Sequence, residues 1–224
     1  MTTIKFYYMP ESPPCRAVEM AANLAGVTLD RTYVNLFTRE HLSDESLKLN
    51  PFHRVPFIVD GDLKLNESRA IMGYLVNKYM PKDNTLYPHD PVERARVDEI
   101  LQIDIGVFYQ AASNLLKPMI LGPVKKMDPE KEKDFREILT YFENRLQQNG
   151  GKKFMLGDHI TIADISLVAS FSFPEACEYD ISEFKHLTAY IDRLKTSIPK
   201  YGEINDGPVN NMRNFIKSKQ GGQQ

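Results

Sequence analysis

Tyr7-Tyr8-Met9-Pro10-Glu11-Ser12-Pro13-Pro14-Cys15-Arg16 is the stretch that decides the fold. It joins two different periodicities through a proline-marked corner. Upstream, Ile4 to Met9 is a short apolar run of the kind a buried strand presents, ended by Pro10. Downstream, Ala17, Met20, Ala21 and Leu24 recur at helical spacing between Pro13 and Ala25, and Gly26 is placed to terminate that helix. A second strand is expected around Thr32 to Leu36, completing a βαβ unit. Phe57 to Leu65 then reads as a tight hairpin with Asp60-Gly61 at its turn. Glu67 to Tyr79 reads as a helix stopped by Pro81. The order βαβ followed by ββα implies a mixed sheet with helices packed on its faces.

Between Pro81 and Pro91 the chain is polar and interrupted by prolines, so residues 81–90 read as a linker. Beyond it no strand pattern stands out. Helices are expected over Pro91 to about Leu121, Asp128 to Gln148, Thr161 to Phe173 and Ser182 to Ser197, with a weaker one near Asn210 to Lys217. The polar tail Ser218 to Gln224 is expected to fray. The chain thus divides into an α/β domain over 1–80 and an all-α domain over 91–224. Thr161 to Asp164 has capping-box spacing, with Ile160 and Ile165 placed as a hydrophobic staple, so these residues read as structural.

Composition narrows the function. A length of 224 residues suits one large domain or two small ones, and a 42% hydrophobic fraction is enough for two modest cores. A net charge of -2 leaves no electrostatic footprint for nucleic acid or an anionic membrane. The cysteines, Cys15 and Cys177, make neither a disulfide framework nor a zinc set, which fits a reducing compartment. No stretch approaches ~18 consecutive apolar residues, and the apolar start before Pro10 is too brief for a signal peptide. A soluble, cytoplasmic protein is expected, in which the Asn66-Glu67-Ser68 sequon is accidental.

Three corners could carry chemistry. Ser12 sits at a helix N-cap before Pro13; its hydroxyl either caps the helix or points at a ligand, and taken alone the cap is favoured. No G-x-S-x-G surrounds it, which argues against a triad nucleophile. Cys15 falls in the same first turn, where a thiolate would be favoured, though a small buried hydrophobe is the plainer reading. In Asn50-Pro51-Phe52-His53-Arg54-Val55-Pro56, a proline ahead of a β-run can turn the Val55 backbone outward, open to an extended peptide, though taken alone an ordinary edge-strand proline is favoured. Glu67-Ser68 opens the next helix, where a hydroxyl beside free amides suits a carboxylate and the acid suits an ammonium, though taken alone a plain capping function is favoured. A site for a short zwitterionic peptide containing a thiol combines all three. His41, His53, His89, His159 and His186 show no metal-ligand spacing, so no metal site is expected.

These three segments, with Thr161-Ile162-Ala163-Asp164, resemble the cytosolic glutathione transferases, and Tyr-Tyr-x-Pro-x-Ser-Pro-Pro-Cys-Arg resembles their arthropod delta and epsilon classes. The resemblance spans nearly the whole chain. It implies a thioredoxin-like first domain, an all-helical second domain, a homodimer and, as co-substrate, glutathione conjugated to hydrophobic electrophilic small molecules in detoxification. Ser12 is then the catalytic hydrogen-bond donor to the thiolate. Val55 pairs through its backbone with the cysteinyl unit and Pro56 is cis. Glu67 and Ser68 hold the γ-glutamyl end with Arg69 nearby, while His41, His53 and Arg54 lie toward the glycyl carboxylate. Leu36, Ile105, Phe108, Tyr109 and Phe215 line the electrophile pocket. Phe52 stands where these classes often carry Gln, Arg54 where a small residue is common, and Ala112 and Lys117 where some relatives place aromatics. Two rivals are a non-catalytic ligand-binding or scaffold relative and a thiol transferase working through Cys15.

Overall fold

The computed structural model describes residues 3–121 and 126–221. Met1 and Thr2, and the last residues of the polar tail, 222–224, lie outside the described residues. Strand β1 (Thr3–Tyr8) buries Ile4 and Phe6 on one face, and helix α1 (Pro13–Leu24) follows. Strand β2 (Thr28–Tyr33) runs parallel to β1 from Thr3↔Thr28 to Tyr8↔Tyr33. It starts earlier than the Thr32 to Leu36 expected. Its sequence is polar and only Leu29 is buried, so the apolar residues that drew the reading lie just past its end. A 3₁₀ turn at Glu40–Leu42 and a short helix α2 (Asp44–Leu49), neither of them expected, lead to the hairpin of β3 (Phe57–Asp60) and β4 (Leu63–Asn66). The four strands order as β2-β1-β3-β4, with β1/β3 and β3/β4 antiparallel: a mixed sheet of thioredoxin-like type. Helix α3 (Ser68–Tyr79) packs beside α1.

After residues 80–90, which hold no regular element, the chain is helical. Helix α4 (Pro91–Ile103) passes through a π-helical segment, Asp104–Phe108, into α5 (Tyr109–Leu121), so the single stretch expected there is interrupted. Helix α6 (Pro129–Gln147), α7 (Ile162–Ala176), α8 (Lys185–Ser197) and α9 (Tyr201–Gly221) complete it. Helix α7 is apolar nearly all round and contacts α1, α3, α4, α5, α8 and α9, as a helix at the centre of a core must. It starts at the expected capping box, where Asp164 accepts from the Thr161 N–H (2.8 Å), the Met155 N–H (3.1 Å) and the Tyr190 hydroxyl (2.7 Å).

Helix α9 is far longer than the Asn210 to Lys217 expected, and the tail stays helical through Gly221 rather than fraying from Ser218. Gly202, Gly207 and Pro208 hide it from propensity reading. Tertiary contacts secure it: buried Asn205 accepts from Arg16 Nε (3.0 Å), whose other nitrogens donate to the Pro10 carbonyl (2.7 Å) and to Ser172 Oγ (2.5 Å). Arg16 thereby ties the β1–α1 corner to α7 and α9. Among the described residues, no helix is long and apolar enough to cross a membrane.

Candidate functional site

The β1–α1 corner sets the first part of the site. A helix N-cap side chain ordinarily accepts from the N–H of the second or third helical residue. Here the first two helical residues are Pro13 and Pro14, and the Cys15 N–H already bonds to the Ser12 carbonyl (3.0 Å). Ser12 therefore makes no side-chain cap bond, and its hydroxyl faces a cleft of about 960 Å³ between the sheet domain and α5. Cys15 belongs to the core. It is fully buried, and burial pushes its thiol up to about 12, with the Ser12 hydroxyl and the Met9 backbone pulling it back by less. A buried, protonated thiol is no nucleophile, which removes the basis for a thiol transferase working through Cys15.

The second wall is the loop before β3. Buried Asn50 organises it: its Nδ2 donates to the Arg54 carbonyl (2.7 Å), and its Oδ1 accepts from the Phe52 N–H (3.1 Å) and Asn66 Nδ2 (3.1 Å). The Val55-Pro56 peptide is cis, as expected. Among the described residues neither the N–H nor the C=O of Val55 has a partner, so this stretch offers a free donor and acceptor to the cleft. His53 holds a positive φ of 45°, and its ring lies 6.5 Å from that of His41. His41 Nδ1 is buried without a partner among the described residues.

The third part is the β4–α3 corner. Glu67 takes φ 67° and ψ 105°, a sparsely populated region for a side chain with a Cβ, and makes no cap bond to α3. Ser68 is buried and accepts from Arg69 Nη1 (2.9 Å). Arg69 Nη2 donates across the domain boundary to Asp104 Oδ2 (2.5 Å) and to Ser170 Oγ (3.3 Å). Asp104 is fully buried and also accepts from Ser166 Oγ. The guanidinium of Arg69 is thus directed at Ser68 and the helical domain rather than at open cleft.

One cleft gathers Ser12, Leu36, His41, His53, Arg54, Val55, Pro56, Glu67, Ser68, Arg69, Ile105 and Tyr109. Two expected residues are absent from its lining. Phe108 is fully buried, ringed by Phe135, Phe142 and Phe171, because the π segment turns it into the helical core. Phe215 packs on Phe37 at 5.6 Å and on the core, away from the cleft lining. Residue patterns left the roles of Asn50, Asn66, Asp104, Gln110, Ser113 and Asn114 unread. Only Asn50, ahead of Pro51, carried a local signal, that of a turn. Lys117 also lines the cleft, where partial desolvation and the Arg54 charge lower its pKa. Tyr109 has its hydroxyl pushed up to about 12 by burial, against smaller opposing effects of Arg69 and Arg16. Among the described residues no group of three His, Cys, Asp or Glu is placed to hold a metal ion.

Two family models match: "Glutathione S-transferase, N-terminal domain" over residues 6–83 and "Glutathione S-transferase, C-terminal domain" over residues 92–197. The chain belongs to the glutathione transferase family. Like the other enzymes of that family it joins a thioredoxin-like domain to a helical one. A delta-class glutathione transferase of Nilaparvata lugens is 37% identical with a TM-score of 0.90, covering 96% of this chain and 99% of its own. An epsilon-class enzyme from the housefly, Musca domestica, is 35% identical with a TM-score of 0.87, covering 96% and 98%. A glutathione transferase homologue of Drosophila mojavensis, solved with bound glutathione, is 35% identical with a TM-score of 0.87, covering 98% of both chains. This glutathione transferase therefore sits among insect delta- and epsilon-class enzymes.

Proposed function

We propose that this glutathione transferase conjugates the thiolate of reduced glutathione to hydrophobic electrophiles, a detoxifying reaction, and that Ser12 stabilises the thiolate. The observation that carries it is the Ser12 hydroxyl, left without a cap bond at a corner where Pro14 has no N–H and the Cys15 N–H goes to the Ser12 carbonyl, in a residue that lines the cleft. A free thiol titrates near ~8.5, so only about 3% is thiolate at neutral pH. Lowering that value by about two units requires ~2.7 kcal/mol of preference for the anion. A charge-assisted hydrogen bond from Ser12 contributes about 1.5–3 kcal/mol and the helix N-terminus up to ~1, so no general base is required.

In this reading Val55 pairs with the cysteinyl unit, Glu67 and Ser68 take the γ-glutamyl end, and His41, His53 and Arg54 face the glycyl carboxylate. Leu36, Ile105 and Tyr109 bound the electrophile. Arg69 positions Ser68. The reading also takes 1–80 and 91–224 as the two domains, joined at 81–90, in a cytoplasmic homodimer. Exposed Phe52, Leu63, Val92 and Val107 supply apolar surface for such an assembly.

Ser12→Ala tests the assignment. Ultraviolet titration of bound glutathione should show the thiol pKa rising by about one to two units. Conjugation at mildly acidic pH should fall by about 10- to 150-fold. The melting temperature should hold, because no cap bond is lost. An unchanged thiol pKa would overturn the role of Ser12. Absence of conjugation by the parent protein, with glutathione still bound, would favour the non-catalytic rival.

A further inference from the structure

The wall of the cleft formed by α5 is unusually polar for a surface meant to receive an apolar electrophile. Ser113 lies inside a helix and is only 7% exposed, yet its Oγ has no partner among the described residues. A serine in a helix interior ordinarily bonds back to the carbonyl four residues earlier or faces water. Ser113 does neither; it lines the cleft with its hydroxyl unspent. A buried polar atom without a partner calls for a ligand or a reason. Lys117 stands one helical turn further on, on the same side of α5 and on the cleft rim. Among the described residues no carboxylate lies within ion-pair distance of its ammonium, which sits 5.7 Å above the Tyr109 ring. Arg54 and Lys131 line the same cleft, and among the described residues the one acidic residue in its lining is Glu67.

We propose that Ser113 and Lys117 form an anion-binding pair that recognises a carboxylate carried by the electrophile. Residues four apart on a helix have Cβ atoms about 5–6 Å apart. One carboxylate can therefore accept from the hydroxyl at depth and from the ammonium at the rim. Gln110 and Asn114, hydrogen-bonded to each other at 2.9 Å, flank the pair without offering a competing charge. The inference deepens the conjugation proposed above and rests on it. It narrows the co-substrate class from hydrophobic electrophiles to aromatic or unsaturated electrophiles that also bear an acid group.

A matched pair of electrophiles tests it: 4-chloro-3,5-dinitrobenzoate and its methyl ester. In both, the glutathione sulfur forms a C–S bond at the carbon bearing chlorine. The C–Cl bond breaks, chloride leaves with the bonding electrons, and the thiol proton goes to solvent. The measured quantity is the ratio of kcat/KM for acid over ester at saturating glutathione. Lys117→Met should lower that ratio about tenfold or more, Ser113→Ala should lower it by less, and Lys117→Arg should restore it. An unchanged ratio in Lys117→Met would overturn the proposal. So would a Lys117→Met effect confined to the KM for glutathione, which would assign Lys117 to the glycyl carboxylate instead. A second arm needs no turnover. Calorimetric binding of 3,5-dinitrobenzoate, which has no leaving group, to the glutathione-loaded protein should weaken about tenfold in Lys117→Met. Parent protein that turns over neither electrophile sinks the conjugation reading alone, and the binding arm still decides the anion site.

Discussion

Ser12 and Cys15 lie three residues apart, and the two prolines between them give them opposite fates. Pro14 lacks the N–H that would be one of the two usual capping partners of the Ser12 side chain, and the other, the Cys15 N–H, goes to the Ser12 carbonyl, while the turn sends the Cys15 thiol into the core. The position of Ser12 at the corner, taken alone, favours the cap; counting which amides are free there removes it. Glu67 is a similar case. It occupies the cap position of α3 but makes no cap bond, and it holds a backbone conformation that costs ~1–3 kcal/mol. Glu67→Ala keeps that conformation and loses only the carboxylate. Glutathione affinity should therefore weaken by about 10- to 150-fold, while the melting temperature stays near the parent value. Calorimetric titration paired with a melting curve checks this; a lowered melting temperature with unchanged affinity would assign Glu67 to the helix instead. Ser12, Glu67 and Ser68 were legible because each stands at a strand end beside a helix start. Ser113 and Asp104 were not, because a polar residue inside a helical stripe looks the same whether it faces water, a partner domain or a ligand; Lys117 stood out only as a residue found where some relatives place aromatics.

Among the elements, those with strong apolar periodicity or unambiguous turn chemistry were legible: β1, α1, the β3–β4 hairpin and α3. Those secured by tertiary contacts were not. Strand β2 is polar and at the sheet edge, and α9 carries glycines and a proline that only the Arg16–Asn205 bond and its packing offset. The hairpin is also fastened at its turn. Asp60 accepts from Tyr74 Oη (2.6 Å), Lys78 Nζ (2.7 Å) and Tyr79 Oη (2.8 Å), all on the last turns of α3. Lys78, then Tyr74, hold the Asp60 carboxyl below its ordinary value, against the effect of burial. A carboxyl with a depressed folded pKa stabilises the fold above its unfolded value of ~3.9, and that contribution is lost as pH falls through the lower folded value. Asp60→Asn should thus destabilise most near neutral pH. The gap between the melting temperatures of variant and parent should close in strong acid. A gap independent of pH would show that Asp60 acts through shape and not through charge.

At the scale of the whole molecule, the cleft is lined from both the sheet part and the helical part, and an ion pair joins the two. Arg69, from the first turn of α3, reaches Asp104 in the π segment, with side-chain exposures of only 11% and 0%. The same guanidinium bonds Ser68, so the helical domain sets the position of a hydroxyl in the part of the cleft proposed to hold glutathione. Removing one member of a buried pair strands the other and costs about 3–5 kcal/mol, whereas replacing both with apolar groups of similar size is often nearly neutral. Asp104→Ala should therefore lower stability by about 3–5 kcal/mol in denaturant titration, with Arg69 left buried and unpaired. Asp104→Leu combined with Arg69→Met should recover most of that loss. Glutathione affinity should follow a different course. Asp104→Ala leaves the guanidinium beside Ser68 with only the longer Ser170 contact across the boundary, and the double variant removes the guanidinium, so both should bind glutathione more weakly than the parent. Stability restored without affinity would separate the two roles of the pair. Affinity that returns together with stability would mean that the pair only holds the domains together and that Ser68 needs no positioning from the π segment.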